Sequence, residues 1–182
     1  MPILAMEQSI YPDCLLNAPA LHADWWAVYT KPRQEKSLAR DLLAVEQPFY
    51  LPLVSRRQII RGRQVASRLP LFPGYLFIAG DPDSRIVAFK TNRAICVLPV
   101  ADTSTLVGQL NDIRTLLESG VDIEREPQLV PGRRVRVRHG ALTGMEGTII
   151  ERRGAERLLV AVDFLQQGAS VELSAVCLEH VT

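Results

Sequence analysis

The chain has 182 residues, 47% of them hydrophobic and 23% charged, with 21 Lys plus Arg against 20 Asp plus Glu. That balance excludes a wholly disordered chain, and the absence of any long unbroken apolar run excludes a membrane-spanning helix. A net charge of +1 excludes a protein that coats polyanions over its whole surface, so any nucleic-acid contact has to come from local patches.

Met1–Ala23 has apolar stretches, but no cation precedes them and Glu7 and Asp13 interrupt them. It reads as a flexible N-terminal extension, 1–23, and not as a signal peptide. Trp25–Thr30 is bulky and β-prone, a buried strand. Pro32 then suits a first helical turn, and Leu38, Leu42 and Val45 recur at helical spacing. Phe49–Leu53 is a second strand bounded by Pro48 and Pro52. Two extended arms around Arg61-Gly62-Arg63 predict a hairpin. A Pro73-Gly74 turn leads into a central strand, Tyr75–Ile78. Asp81-Pro82 starts a helix running to about Lys90, Ala94–Leu98 is a strand, and Leu106, Leu110, Ile113 and Leu117 stripe a helix that Gly120 stops.

From about residue 129 the pattern changes to short β-prone runs spaced by glycines and charged turns, which predicts a small all-β barrel. The expected fold class is therefore α+β: an antiparallel sheet with packed helices over 24–120, a polar linker over 121–128, and a β-barrel domain over 129–182.

Val135 and Val137 alternate with Arg134, Arg136 and Arg138, giving one apolar and one cationic strand face. The plainer reading of the arginines is a solvated face partly neutralised by Glu146, Glu151 and Glu156. This stretch, PGRRVRVRHGALTGMEGTII, resembles a KOW motif. Together with Leu71-Phe72-Pro73-Gly74-Tyr75-Leu76-Phe77 and the entry Trp26-Ala27-Val28-Tyr29, it makes residues 25–181 similar to the bacterial NusG/RfaH family of transcription elongation factors, as a specialised paralogue. The resemblance implies an NGN domain followed by a KOW (SH3-like) barrel, and an activity of binding RNA polymerase to modulate pausing, termination or antitermination.

On residue type alone each aromatic of the FPGY region reads as core. The resemblance reverses that for Tyr29, Phe72 and Tyr75, which match positions that receive the clamp helices of the largest polymerase subunit. It also puts Arg85, Ile86 and Val87 at the gate-loop contact, although none matches the His-Thr-Thr motif found there in RfaH. Arg56, Arg57, Arg61, Arg63 and Arg68 lie between Val54 and Pro70 with no acid among them, a hairpin charged to approach upstream or non-template DNA. Phe164, Leu165 and Gln167 fall at the barrel loop that contacts Rho or a small-subunit ribosomal protein in the family, with Gln167 where an arginine is usual.

Cys14, Cys96 and Cys177 form no CxxC pair, and their odd number argues against a disulfide framework and for a reducing, cytoplasmic compartment. His22, His139 and His180 are scattered and no hydrolase or kinase motif appears. The expectation is a monomeric binding protein, not an enzyme, with no catalytic residue, metal or cofactor and no membrane partner. The alternative is a KOW-type RNA- or ribosome-associated protein without a polymerase role.

Overall fold

The computed structural model describes residues 7–17, 23–172 and 178–180. They divide into two compact α+β and mainly β units, one ending at Ser104 and the other starting at Thr105.

In chain order the first unit contains β1 (Ile10–Tyr11), β2 (Asp24–Thr30), α1 (Glu35–Ala44), β3 (Phe49–Tyr50), β4 (Leu53–Ile60), β5 (Arg63–Pro70), β6 (Tyr75–Gly80), α2 (Ser84–Lys90) and β7 (Ala94–Pro99). Five of the strands form an antiparallel sheet in the order β1-β3-β6-β2-β7. Alternation sends Trp26 and Val28 of β2, with Leu76 and Ile78 of β6, to one face, where they meet Leu38 and Leu42 of α1 and Ala88 of α2. Burying each large side chain contributes about 1.5–3 kcal/mol, so this face anchors the unit. The α1 helix stops where Glu46 enters the left-handed region at φ 54°, just ahead of Pro48, which could not continue it.

The expectation of a frayed extension over 1–23 needs correcting for residues 7–17. β1 pairs with β3, Ile10 opposite Tyr50 and Tyr11 opposite Phe49, and the Leu51 N–H donates to the Ser9 carbonyl at 2.7 Å. Ile10, Leu15 and Leu16 are buried, and that burial holds a segment too short for any periodic signal. The remainder of 1–23, at 1–6 and 18–22, lies outside the described residues.

β4 and β5 pair only with each other, from Leu53 opposite Pro70 to Ile60 opposite Arg63. The two turn residues Arg61 and Gly62 both have positive φ, 50° and 76°. This is the type I′ geometry that matches the twist of a two-residue hairpin.

The second unit takes in most of α3 (Thr103–Glu118), then β8 (Ile123–Glu126), β9 (Arg133–Val137), β10 (Glu146–Arg152), β11 (Ala155–Val162), a 3-10 turn at Asp163–Leu165, β12 (Gln167–Glu172) and β13 (Leu178–His180). The strands form one antiparallel sheet in the order β13-β9-β10-β11-β12-β8, a small β-barrel-like layer. Val135, Val137, Ile150, Leu158, Val160, Val162 and Val171 are buried in it. In α3 the buried stripe is Leu106, Val107, Leu110, Ile113 and Leu116, with Leu117 turned half out.

Two boundaries differ from the sequence reading. The first compact unit ends in the first turn of α3, whose Gln109 exchanges two hydrogen bonds with Asp163. The segment 121–128 is not a free linker: β8 pairs with β12 from Ile123 opposite Val171 to Glu126 opposite Gly168. Ile123 and Glu126 are both buried. Glu126 accepts hydrogen bonds from the Ser170 hydroxyl at 2.7 Å and from Arg152 Nη2 at 3.2 Å, partners that make a buried carboxylate tolerable.

Candidate functional site

The Leu71–Tyr75 corner is a tight turn. The Tyr75 N–H donates to the Phe72 carbonyl at 3.0 Å, with Pro73 and Gly74 in the two central positions and Gly74 at φ 85°. Proline followed by a positive-φ glycine is the type II arrangement. The Gly74 N–H donates to the buried Glu35 carboxylate at 2.6 Å, and its carbonyl accepts from the Thr30 N–H at 2.8 Å. A Cβ on Gly74 would sit 2.9 Å from the Tyr29 ring. Glycine is therefore required twice over, by its backbone conformation and by the ring lying against it.

Tyr29 and Tyr75 are directly opposed across β2 and β6, with ring centroids 5.2 Å apart and planes at 41°. Tyr29 is 41% exposed and Tyr75 half-buried. Phe72, expected as a third surface ring, is only 1% exposed. This is a correction: a ring that deep belongs to the core.

The register adds residues that composition could not pick out. Cys96 is opposite Tyr29 and Leu98 opposite Ala27, so both stand on the face that carries Tyr29 and Tyr75. A shift in pairing between Tyr29 and Thr30 leaves Ile95 without a partner and 52% exposed. Bulges re-aim side chains in this way. The signal available in the sequence was the alternation of AICVLP, once its pairing to β2 is known.

On α2, Asp81 accepts from the Asp83 and Ser84 N–H groups at 3.0 and 3.1 Å, capping the helix start as expected. Arg85 and Ile86 are exposed. Val87 is not a free contact residue: it is partly buried and packed against the main core, because successive helical positions cannot share one outward face.

The hairpin places Arg57 and Ile59 on the face shared with Arg68, and Arg56 and Arg63 on the other. Ile59 is 74% exposed. Arg56, Arg57, Arg61 and Arg63 are exposed and have no ion-pair partner among the described residues. Arg68 differs. It is half-buried, and its Nη1 donates to the Glu7 carbonyl at 2.9 Å.

The barrel arginines are held quite differently. Glu146 lies within 3.5 Å of Arg134 and bonds Arg136 through both Nε and Nη2. The Arg136 hydrogen bond, then its charge and that of Arg134, hold the Glu146 carboxyl below its usual range. Arg152 pairs with Glu126, while Arg157 is buried and bonds the Ser170 hydroxyl and carbonyl, each at 3.0 Å. Positive charge on this unit is largely answered from within.

At the barrel loop Phe164 is 38% exposed and Leu165 half-buried. Gln166 takes a left-handed conformation and its side chain donates to the Asp163 carbonyl at 2.7 Å. Gln167 accepts from Arg125 Nη2 of β8 at 3.0 Å.

Among the described residues, no three His, Cys, Asp or Glu side chains are grouped to hold a metal ion, and no helix is long and apolar enough to cross a membrane.

An α+β unit displaying a pair of tyrosines and an arginine hairpin without acid, followed by a small antiparallel β unit, defines a two-part α+β protein. The family model described as NusG, transcription termination factor nusG, matches residues 23–137, more than half the chain. The chain belongs to the NusG family of transcription factors. A solved structure, the crystal structure of the MjSpt4:Spt5 complex in conformation B, is similar at 17% identity over 87% of this chain and 97% of that chain, with a TM-score of 0.28.

Proposed function

We propose that this protein is a transcription elongation factor that docks on RNA polymerase through the surface carrying Tyr29 and Tyr75. The single observation that carries the reading is the opposed pair of tyrosines, Tyr29 exposed and Tyr75 half-buried, with Gly74 lying against the Tyr29 ring. Stiff, amphipathic rings with little entropy left to lose make interface hot spots. The partner is the clamp helices of the largest subunit, seated against the apolar face that carries Tyr29, Tyr75 and Leu98. Arg85 and Ile86 reach a second polymerase element. The factor acts by binding the elongation-competent enzyme more tightly than the paused one, since a ligand shifts an equilibrium only through such a difference.

The hairpin arginines Arg56, Arg57, Arg61 and Arg63 contact upstream or non-template DNA. The barrel loop at Phe164, Leu165 and Gln167 recruits a second protein, Rho or a small-subunit ribosomal protein. The departures from family pattern at Arg85–Val87 and Gln167 favour a specialised, operon-specific member whose output is antitermination. The contrast between unpaired hairpin arginines and paired barrel arginines argues against a barrel that works mainly by gripping RNA.

The test is affinity for a reconstituted elongation complex. Tyr75→Ala and Tyr29→Ala should each weaken binding about 30-fold, the scale of a hot-spot residue, with an unchanged unfolding midpoint. Unaltered affinity in both variants removes this docking surface.

A further inference from the structure

The hairpin is long, pairs with no other strand, and is joined to the rest of its unit by short connections at Leu51–Pro52 and Leu71–Gly74. An isolated two-stranded ribbon is marginal in water, and at its base only Leu53 is buried in the main core, so its direction depends on what else holds that base. Among the described residues, the only side-chain hydrogen bond from the hairpin to anything outside it is Arg68 Nη1 to the Glu7 carbonyl, at 2.9 Å. Arg68 stands near that base, opposite Ser55.

Glu7 is itself pinned. Its carboxylate pairs with Lys36 Nζ at 2.8 Å and with Arg40 at 3.9 Å, both on α1. Two residues on, the Ser9 carbonyl accepts the Leu51 N–H, and β1 then joins the sheet edge. The Gln8 side chain donates to the Ile10 carbonyl at 2.9 Å, stiffening the same stretch. One short segment therefore connects α1, β3 and the hairpin. Arg68 is also the hairpin arginine whose guanidinium is occupied.

We propose that residues 7–11 are a strap that sets the direction of the arginine hairpin, with Arg68 as its positioning residue and not a phosphate contact. The strap fixes the hairpin whatever the hairpin touches. Its consequence for nucleic acid rests on the reading of Arg56, Arg57, Arg61 and Arg63 given above. A directed hairpin presents those four charges with less ordering left to do on binding.

The experiment uses the full chain with Cys14→Ser, Cys96→Ser and Cys177→Ser, spin-labelled at Gln64→Cys on the hairpin and Lys90→Cys on α2. Label-to-label distance distributions and affinity for forked DNA are measured for Arg68→Met, Arg68→Lys, a chain starting at Ser9, and that shortened chain carrying Arg68→Met. Arg68→Met and the shortened chain should each broaden the distribution about twofold and weaken DNA binding about fivefold, the cost of ordering a loosened segment. Combining them should add nothing, because both remove one interaction. Arg68→Lys, which can still donate to the carbonyl, should restore the narrow distribution.

Distributions that stay narrow in both single variants overturn the strap. So does a further loss of DNA affinity from Arg68→Met in the chain starting at Ser9, which would make Arg68 a direct contact. Broadened distributions with unchanged DNA affinity support the strap and overturn the nucleic-acid role of the hairpin.

Discussion

At Gly74 two constraints coincide, a positive φ and a tyrosine ring where a methyl group would have to go. Gly74→Ala should cost about 1–3 kcal/mol in denaturant unfolding, and it should also weaken polymerase binding, since the displaced ring is Tyr29. Phe72 separates stability from contact. Phe72→Ala should cost about 3–5 kcal/mol, as removal of a fully buried ring does, whereas Tyr75→Ala should leave the unfolding midpoint in place. Two carboxylates in the second unit titrate in opposite senses. Burial first and the Glu146 charge second push Asp112 above the ordinary carboxylate range. For an acid with a raised folded-state pKa, the stabilising contribution is whole below the unfolded pKa and is lost as pH rises through the folded value. Asp112→Asn should therefore raise the melting temperature of this unit at neutral pH, with the gain shrinking as pH approaches about 4. Glu146 is lowered by Arg136, so its contribution is present above the unfolded pKa and fades as acid protonates it.

Elements with strong local character were readable from composition and spacing. Trp25–Thr30, Tyr75–Ile78 and Ala94–Leu98 are strands because β-branched and aromatic residues crowd there, Leu38 and Leu42 of α1 and the stripe of α3 follow their apolar spacing, and Asp81 marks the start of α2. The Arg61-Gly62 turn announced the hairpin. What was hidden depends on distant partners. β8 carries a single apolar core residue, Ile123, and its Glu126 is stable inside only because Ser170 and Arg152 arrive from other strands. β1 is two residues long. Phe72 is buried and Val87 partly buried because facing direction depends on what packs behind them. For the hairpin, Arg56→Ala, Arg57→Ala and Arg63→Ala combined with Arg61→Asn, which suits a type I′ turn, should reduce the salt slope of DNA binding by about 3–4. An unchanged slope, measured by titrating affinity against salt, removes the hairpin from the nucleic-acid interface. Glu126→Ala should destabilise the second unit by about 3 kcal/mol, because it strands Arg152 and Ser170.

Across the whole chain the near-zero net charge conceals a polar distribution. Five of the 21 basic residues lie in the hairpin, which has no acid, so the remaining 16 face all 20 acids elsewhere. A polyanion is therefore drawn to the ribbon and repelled by the balance of the molecule, which orients the encounter before contact. This should appear as an association rate that falls with added salt more steeply than the net charge predicts, and flattens when the four free arginines are removed. The tie at the ribbon's root carries a consequence for how such a molecule tolerates change. Arg68 addresses a main-chain oxygen, and every amino acid offers one. The letter at position 7 is therefore open as far as Arg68 is concerned. What is constrained is the route the backbone takes past that guanidinium, so an insertion between Glu7 and Ile10 should do more harm than replacement of any residue in that stretch.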